Sequence, residues 1–258
     1  MGPVKPTSFT ATANRLEKFN GAIVFEWRQP ENPEEGLHAR VFMRPAKGIY
    51  KKHMEAGTKP PIHFHRHQYE SFEVVGAGDL TCEIDGVQHR VRKGDPAVWI
   101  QPYANHVVYG TPGVEQPEIE MIVHSRDDRL MGCKNKETSE FLLDRMFFEN
   151  WYGYQEEVYQ GKTKFDIIQI LSTFDAGDTY MTLPRWVPFR RTVSIAAGIV
   201  LGRWIGGLLG YQPFLPEWTS DWQLACERMN KVWTQRRFAD IEAQETARIR
   251  FSGLGSSN

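Results

Sequence analysis

Little in this chain places it at once. Among its 258 residues there are only three cysteines, Cys82, Cys133 and Cys226. They are far apart and odd in number, which excludes a disulfide framework and a paired-cysteine zinc spacing and favours a reducing compartment over secretion. Charge of one sign is missing too. The 31 Lys and Arg balance 32 Asp and Glu to a formal net charge of −1, so the chain carries no electrostatic footprint for nucleic acid, and no helix-turn-helix pattern supplies one. Met1 to Asn14 is polar and lacks the apolar core of a secretory signal. No internal repeat is evident. What is present is ordinary for a folded, cytoplasmic protein: 41% hydrophobic and 24% charged residues, enough to build one large domain or one domain with an appendage.

Residues 1–19 read as an irregular arm. From about Gly21 the texture becomes that of short strands. Ala22–Trp27 and Ala39–Met43 are separated by the turn signal Pro30-Glu31-Asn32-Pro33. Ser71–Val75, Leu80–Ile84, Val87–Arg92, Ala97–Ile100, His106–Tyr109 and Glu118–His124 follow, divided by Gly, Pro and Asp turns. Asp85-Gly86 is the strongest two-residue hairpin signal in the chain. This pattern predicts an antiparallel sandwich or small barrel over residues 20–125. Residues 126–258 then read as a helical extension. Apolar side chains recur at helical spacing over Glu137–Tyr154, and Thr219–Arg250 reads as one long helix opened by a capping box at Ser220–Gln223.

The stretch Pro61–Glu70 carries the chemistry. Its histidines stand at 63, 65 and 67, and Glu70 follows. On a strand, positions two apart share a face, so all three imidazoles would look one way. Several imidazoles beside a carboxylate describe a metal site more often than a core, because both suit borderline divalent ions. A metal-free barrel that binds a small molecule is the plain alternative. By the same parity Phe72 and Val74 share the face of Glu70 and predict an apolar lining.

The chain resembles the cupin superfamily through two motifs. The first is a glycine, His-x-His, a glutamate and a further glycine, here Gly57, His63, His65, Glu70 and the Gly76-Ala77-Gly78 turn. A His65–His67 pairing would leave two residues before Glu70, so His63 and His65 fit the motif and His67 is the spare. The second is a glycine, a strand, a proline and a histidine, here Gly94, Ala97–Ile100, Pro102 and His106. The segment is one residue longer than the family pattern, and Ala104 stands where that pattern has glycine. The resemblance implies a jelly-roll barrel holding one divalent metal ion on His63, His65, Glu70 and His106. Fe(II) leads; Mn, Ni and Zn share much of the ligand preference. Three neutral nitrogens and one carboxylate leave such an ion a residual charge of about +1, with open positions for reactants.

His67 and Tyr103 are the candidates to assist proton transfer, with Asn105 beside Tyr103 at the mouth. His38, His53, His89 and His124 show no partner pattern. The function this implies is a mononuclear metal-dependent oxidoreductase or oxygenase acting on a lipophilic, apolar or aromatic small molecule of a biosynthetic pathway. The alternatives are a metal-dependent isomerase or cyclase, and a non-catalytic small-molecule binder.

Residues 193–211 form the longest apolar run, with Gly198, Gly202, Gly206 and Gly210 at every fourth position. As a helix of about 28 Å at ~1.5 Å per residue, it nearly matches a bilayer core. Arg185, Arg190 and Arg191 precede it, and a spanning helix would leave the barrel in the cytosol. Arg203 near its middle opposes spanning, at about 2.5–3.5 kcal/mol. Membrane association, a buried or dimer-forming helix, and a partly non-helical docked segment are all open readings; a homodimer joined here is the matching assembly.

Overall fold

A computed structural model describes residues 2–29, 35–127 and 142–254. The Pro30–Pro33 turn, Cys133 and the start of the helix expected from Glu137 lie outside the described residues. The chain divides into two compact units.

The first unit comprises Asn14–Asp144 and Asp178–Ser194. It contains β1 (Arg15–Lys18), β2 (Ile23–Trp27), β3 (Glu35–Met43), α1 (Gly48–Glu55), β4 (His63–His65), β5 (Gln68–Val74), β6 (Asp79–Ile84), β7 (Val87–Arg92), β8 (Val98–Ile100), β9 (His106–Gly110), β10 (Ile119–Asp127) and β11 (Thr179–Met181). All pairings are antiparallel: six strands run in the order β1-β2-β3-β10-β5-β8 and five in the order β11-β4-β9-β6-β7. Consecutive strands β4 and β5 lie in different sheets, as do β8 and β9, which is the two-sheet jelly roll expected from the motifs.

The period of two does the folding work. On β3, Leu37, Ala39, Val41 and Met43 are buried; on β5, Gln68, Glu70, Phe72 and Val74 are. Apolar side chains removed from water at every second position fix the register, because a one-residue slip would expose them all. The β6–β7 hairpin turns on Asp85 (φ +48) and Gly86 (φ +90), the left-handed pair that a two-residue turn needs and that the Asp-Gly dipeptide signals.

Two strands of this unit differ from the sequence reading. The arm is not irregular throughout, since β1 pairs with β2 from Arg15 to Lys18. And β11, from a stretch read as helical, joins β4 in the barrel. It is only three residues long, too short for periodicity to reveal.

The second unit comprises Met1–Ala13, Arg145–Gly177 and Ile195–Asn258. Its helices include α2 (Arg145–Tyr159) and α3 (Ile167–Ala176). Asp166 caps α3, its Oδ1 accepting from the Ile168 amide at 2.9 Å. Met146, Phe214, Trp222, Ala225, Cys226 and Met229 form a buried cluster. Gly153 of α2 faces Trp218 so closely that an added Cβ would lie 2.5 Å from the indole.

The expected 219–250 helix is not continuous. A helix spans Trp222–Asn230, a single 3₁₀ turn spans Arg236–Phe238, and a last helix spans Ala243–Leu254. The break falls where Thr234 turns inward and its hydroxyl donates to the Arg203 carbonyl at 2.8 Å. The Trp222 indole donates to the Asp240 carbonyl at 2.8 Å and so draws the chain back on itself. The cap also moves: Asp221, not Ser220, accepts the Leu224 amide.

A helix runs over Arg190–Leu209, long and apolar enough to cross a membrane by length and composition. Between Gly198 and Gly206 it is a π-helix. Its glycines are explained inside the second unit. A Cβ on Gly202 would lie 2.5 Å from the Leu171 carbonyl carbon of α3, and one on Gly206 would lie 3.0 Å from Ile168. Arg203 is held by Asp175 of α3 through two hydrogen bonds, at 2.6 and 2.9 Å. The smooth ridge is therefore a helix-packing surface, and the mid-helix arginine has its partner in the protein.

Candidate metal centre

β4 and β9 pair so that His63 stands opposite His106. His65, two residues along β4, shares the face of His63. Glu70 comes from β5 in the other sheet, between Ser125 and Ile100. The four side chains thus meet between the sheets, each offering a ligand atom, and these atoms all lie within 4.8 Å of one another. His65, Glu70 and His106 are buried, while His63 is less so and marks the solvent side.

The outer nitrogen of each imidazole is engaged. His63 Nδ1 lies 3.1 Å from the Pro61 carbonyl, and His106 Nδ1 lies 2.9 Å from the Ala104 carbonyl. A carbonyl only accepts, so both Nδ1 atoms carry the proton and both Nε2 atoms present a lone pair inward. His65 Nδ1 meets the Thr179 hydroxyl at 3.0 Å. Its Nε2 is buried, makes no hydrogen bond, and points to within 3.4 Å of Glu70 Oε2. His106 Nε2 lies 3.1 Å from that same oxygen. Imidazole nitrogens and a carboxylate oxygen converging this closely are held together only with a cation among them, a proton or a metal ion. The donor set fits a divalent ion.

Electrostatics point the same way. Burial pushes the His63 pKa well down, and His106 and His65 nearby add to it. Burial also lowers that of His65, against the pull of Glu70. For Glu70 burial opposes ionisation, yet the adjacent His106 and His65 imidazoles outweigh it and hold the carboxyl well below its usual range. His63 and His65 held neutral beside an ionised Glu70 are in the protonation a metal requires. Cys82 is fully buried, and burial together with the Glu70 charge pushes its thiol up to about 12. It is a packing residue rather than a thiolate.

The other candidates divide. His67 does not continue the strand face, because β4 ends at His65 and the chain bends at Arg66–His67. The Arg66 amide donates to the Asp178 carbonyl and the His67 amide to the Asp178 carboxylate, at 3.2 and 2.9 Å, and His67 Nδ1 lies 2.9 Å from the same carboxylate. The strand-parity expectation for His67 therefore fails on a local turn. Tyr103 adopts φ +65; its amide donates to the His65 carbonyl at 2.7 Å, and its ring stacks on Phe64. This ties the turn before His106 to the strand of His65 despite the departure at Ala104. Asn105 does turn chemistry: its Nδ2 donates to Asp85 Oδ1 at 2.6 Å and its Oδ1 accepts from Thr182 at 2.9 Å. His38 and His124 face each other across β3 and β10, their rings tilted by 30°.

Sequence reasoning missed Asp178 and Thr179. They follow Gly177 as Asp-Thr-Tyr-Met-Thr, a β-branched and aromatic alternation that is the only local signal, and a weak one.

No protein-family model matches the chain. It is 48% identical over 252 residues to "Probable oxidoreductase yanE" of Aspergillus niger, covering 97% of this chain and 94% of that protein. It is 49% identical to "Oxidoreductase macE" of Penicillium terrestre, covering 98% and 95%. The chain belongs to this fungal oxidoreductase family. A further relative is "Epoxidase atD" of Aspergillus terreus, 32% identical over 94% of this chain and 75% of that protein. Among solved structures the chain is similar to the cupin domain of Schizosaccharomyces pombe Cnp3, at 15% identity and a TM-score of 0.33, over 46% of this chain and 72% of that one. At that level the cupin assignment rests on this chain's own two sheets and motifs.

Proposed function

We propose that the chain is a mononuclear metal-dependent oxidoreductase, with Fe(II) as its working ion, that oxidises a lipophilic small molecule with dioxygen. One observation carries the reading: three imidazoles with their outer nitrogens engaged converge with an ionised Glu70 in a buried place between two sheets. Relatives of nearly equal length named oxidoreductases, and one named an epoxidase, support the reaction class. His63, His65, Glu70 and His106 would hold such an ion, and it would supply the redox chemistry.

The chain's own residues supply the rest. Glu70 contributes the one negative charge, and the two carbonyls and Thr179 fix the imidazole orientations. Buried Phe72 and Val74, on the strand of Glu70, make its surroundings apolar and suit a lipophilic reactant. Proton handling falls in this reading to Tyr103 and to His67, the latter through Asp178.

The test is metal analysis of the purified chain, followed by dioxygen uptake with aromatic and polyketide-like candidates after loading with Fe(II), Mn(II), Ni(II) or Zn(II). One ion per chain and substrate-dependent uptake with Fe(II) are expected. Turnover without dioxygen consumption would make it an isomerase or cyclase; binding without turnover would leave a ligand-binding barrel.

A further inference from the structure

The face of the Arg190–Leu209 helix opposite its glycines is not covered. Gly198, Gly202, Gly206 and Gly207 are buried, whereas Val200, Leu201, Trp204, Ile205, Leu208 and Leu209 are exposed, Leu208 at 56% and Leu209 at 58%. The exposed positions are adjacent pairs repeating every four residues, so they form one stripe. Only 28% of the helix's most apolar window is buried, too little for a core helix. Isolated surface leucines need no explanation, but a contiguous apolar stripe marks an interaction site.

A basic, aromatic segment borders the stripe within the same unit. Arg237 donates to the carbonyls of Gly207 and Leu208 at 2.6 and 2.7 Å, and a Cβ on Gly207 would touch Thr234. This segment exposes Trp233 at 63%, and it exposes Lys231, Arg236 and Arg237. Neither the helix nor Lys231–Ala239 contains an acidic residue.

We infer that this stripe and its basic rim bind the surface of an anionic phospholipid bilayer, the helix lying in the plane of the interface rather than crossing it. The leucines and Trp204 enter the acyl boundary, Trp233 sits at headgroup level, and Lys231, Arg236 and Arg237 face lipid phosphates. Two observations select this occupant. The other side of the helix is packed on α3 through glycine-to-backbone contact and the Arg203–Asp175 pair, so lipid cannot surround it as a spanning helix demands. A second copy would bring to this surface another basic rim and no acidic residue of the stripe to meet the first, which charge opposes and anionic lipid relieves.

The test uses the full chain and co-sedimentation with vesicles of phosphatidylcholine alone or doped with phosphatidylserine at about one part in three. Binding is expected to the anionic vesicles and to weaken as salt is raised. Lys231→Glu with Arg236→Glu should lower the partition at least about tenfold. Leu201→Glu with Leu208→Glu should abolish it, with an unchanged circular dichroism spectrum. Should the leucine variant not fold, the charge variant, wholly on exposed side chains, decides alone. Equal binding to both vesicle types, no binding to either, or concentration-dependent dimerisation abolished by the leucine variant without vesicle binding would each overturn the inference. So would retention on membranes through alkaline carbonate, the behaviour of a spanning helix. Metal content is unaffected in every outcome, so this test and that of the oxidoreductase reading fail separately.

Discussion

Both units bury polar groups, but they put their polar and small residues to different uses. The barrel gathers polar groups inside: His65, Glu70 and His106 are buried among apolar strands, and each imidazole's outer nitrogen is anchored. The helical unit uses absence. Its long helix approaches α3 because glycine puts nothing in the way, and it leaves large apolar side chains outside. One unit concentrates chemistry at a point, the other shapes a surface. If that division holds, damage to one should spare the other.

The largest effect tests the barrel. His106→Ala removes a nitrogen from the centre and leaves His63 and His65 with Glu70. We expect at least about a hundredfold loss of metal affinity and no detectable ion after dialysis, with the circular dichroism spectrum kept. Elemental analysis reads it. Retained stoichiometric metal would mean that the ion sits elsewhere.

Next comes the helical unit. Gly202→Ala gains about 1 kcal/mol of helix propensity, but its Cβ would lie 2.5 Å from the α3 backbone. Backbone cannot swing aside as a side chain can, so overpacking dominates, and a net loss of about 2 kcal/mol is expected. Urea unfolding measures it, and metal content of the folded protein should not change. A neutral result would mean that the helix and α3 lie farther apart.

How much was legible beforehand follows the same division. The strands and Asp85-Gly86 could be read because period two and turn chemistry are local. His63, His65, Glu70 and His106 could be grouped because the motif spacing encodes their pairing across sheets. His67 was misplaced because one bend at Arg66 resets strand parity, and no residue type announces it. Thr179 was invisible because it reaches His65 from more than a hundred residues away, on a strand too short to show a period. The glycine ridge at 198–210 was visible but ambiguous: the same spacing serves a membrane dimer and a soluble helix pair, and only the contact with Leu171 decides its use. The break at Thr234 depends on Arg203, again a distant partner.

Thr179→Val sharpens the barrel side. It keeps shape and removes the hydroxyl that meets His65 Nδ1 at 3.0 Å. His65 then loses what fixes its orientation, and metal affinity should fall about tenfold, ~1.4 kcal/mol, with a smaller effect on folding. Competition with a chelator of known affinity reads this. Unchanged affinity would reduce Thr179 to packing.

The smallest effect asks whether the barrel's rim obeys the same logic as its centre. Asp79, at the start of β6, accepts from Arg90 Nε at 2.6 and 2.7 Å, from Thr111 at 2.7 Å and from Arg92 at 3.1 Å. Arg90 chiefly, with Thr111 and Arg92 against the cost of burial, lowers its pKa from 3.8 to about 2. A carboxyl whose pKa falls on folding stabilises fully above its unfolded value and loses that contribution as pH drops through the folded one. The Asp79 contribution is therefore complete above about pH 4 and fades toward about pH 2. Arg90 is half in water, so screening leaves about 1 kcal/mol, less than the bare shift converts to. Asp79→Asn should thus lower stability by about that amount at pH 7 and converge on the parent as pH falls through about 2, by urea unfolding across pH, while metal content at pH 7 stays whole. A gap that does not narrow between about pH 4 and about pH 2 would mean that the aspartate acts through shape at the β6 turn rather than through charge.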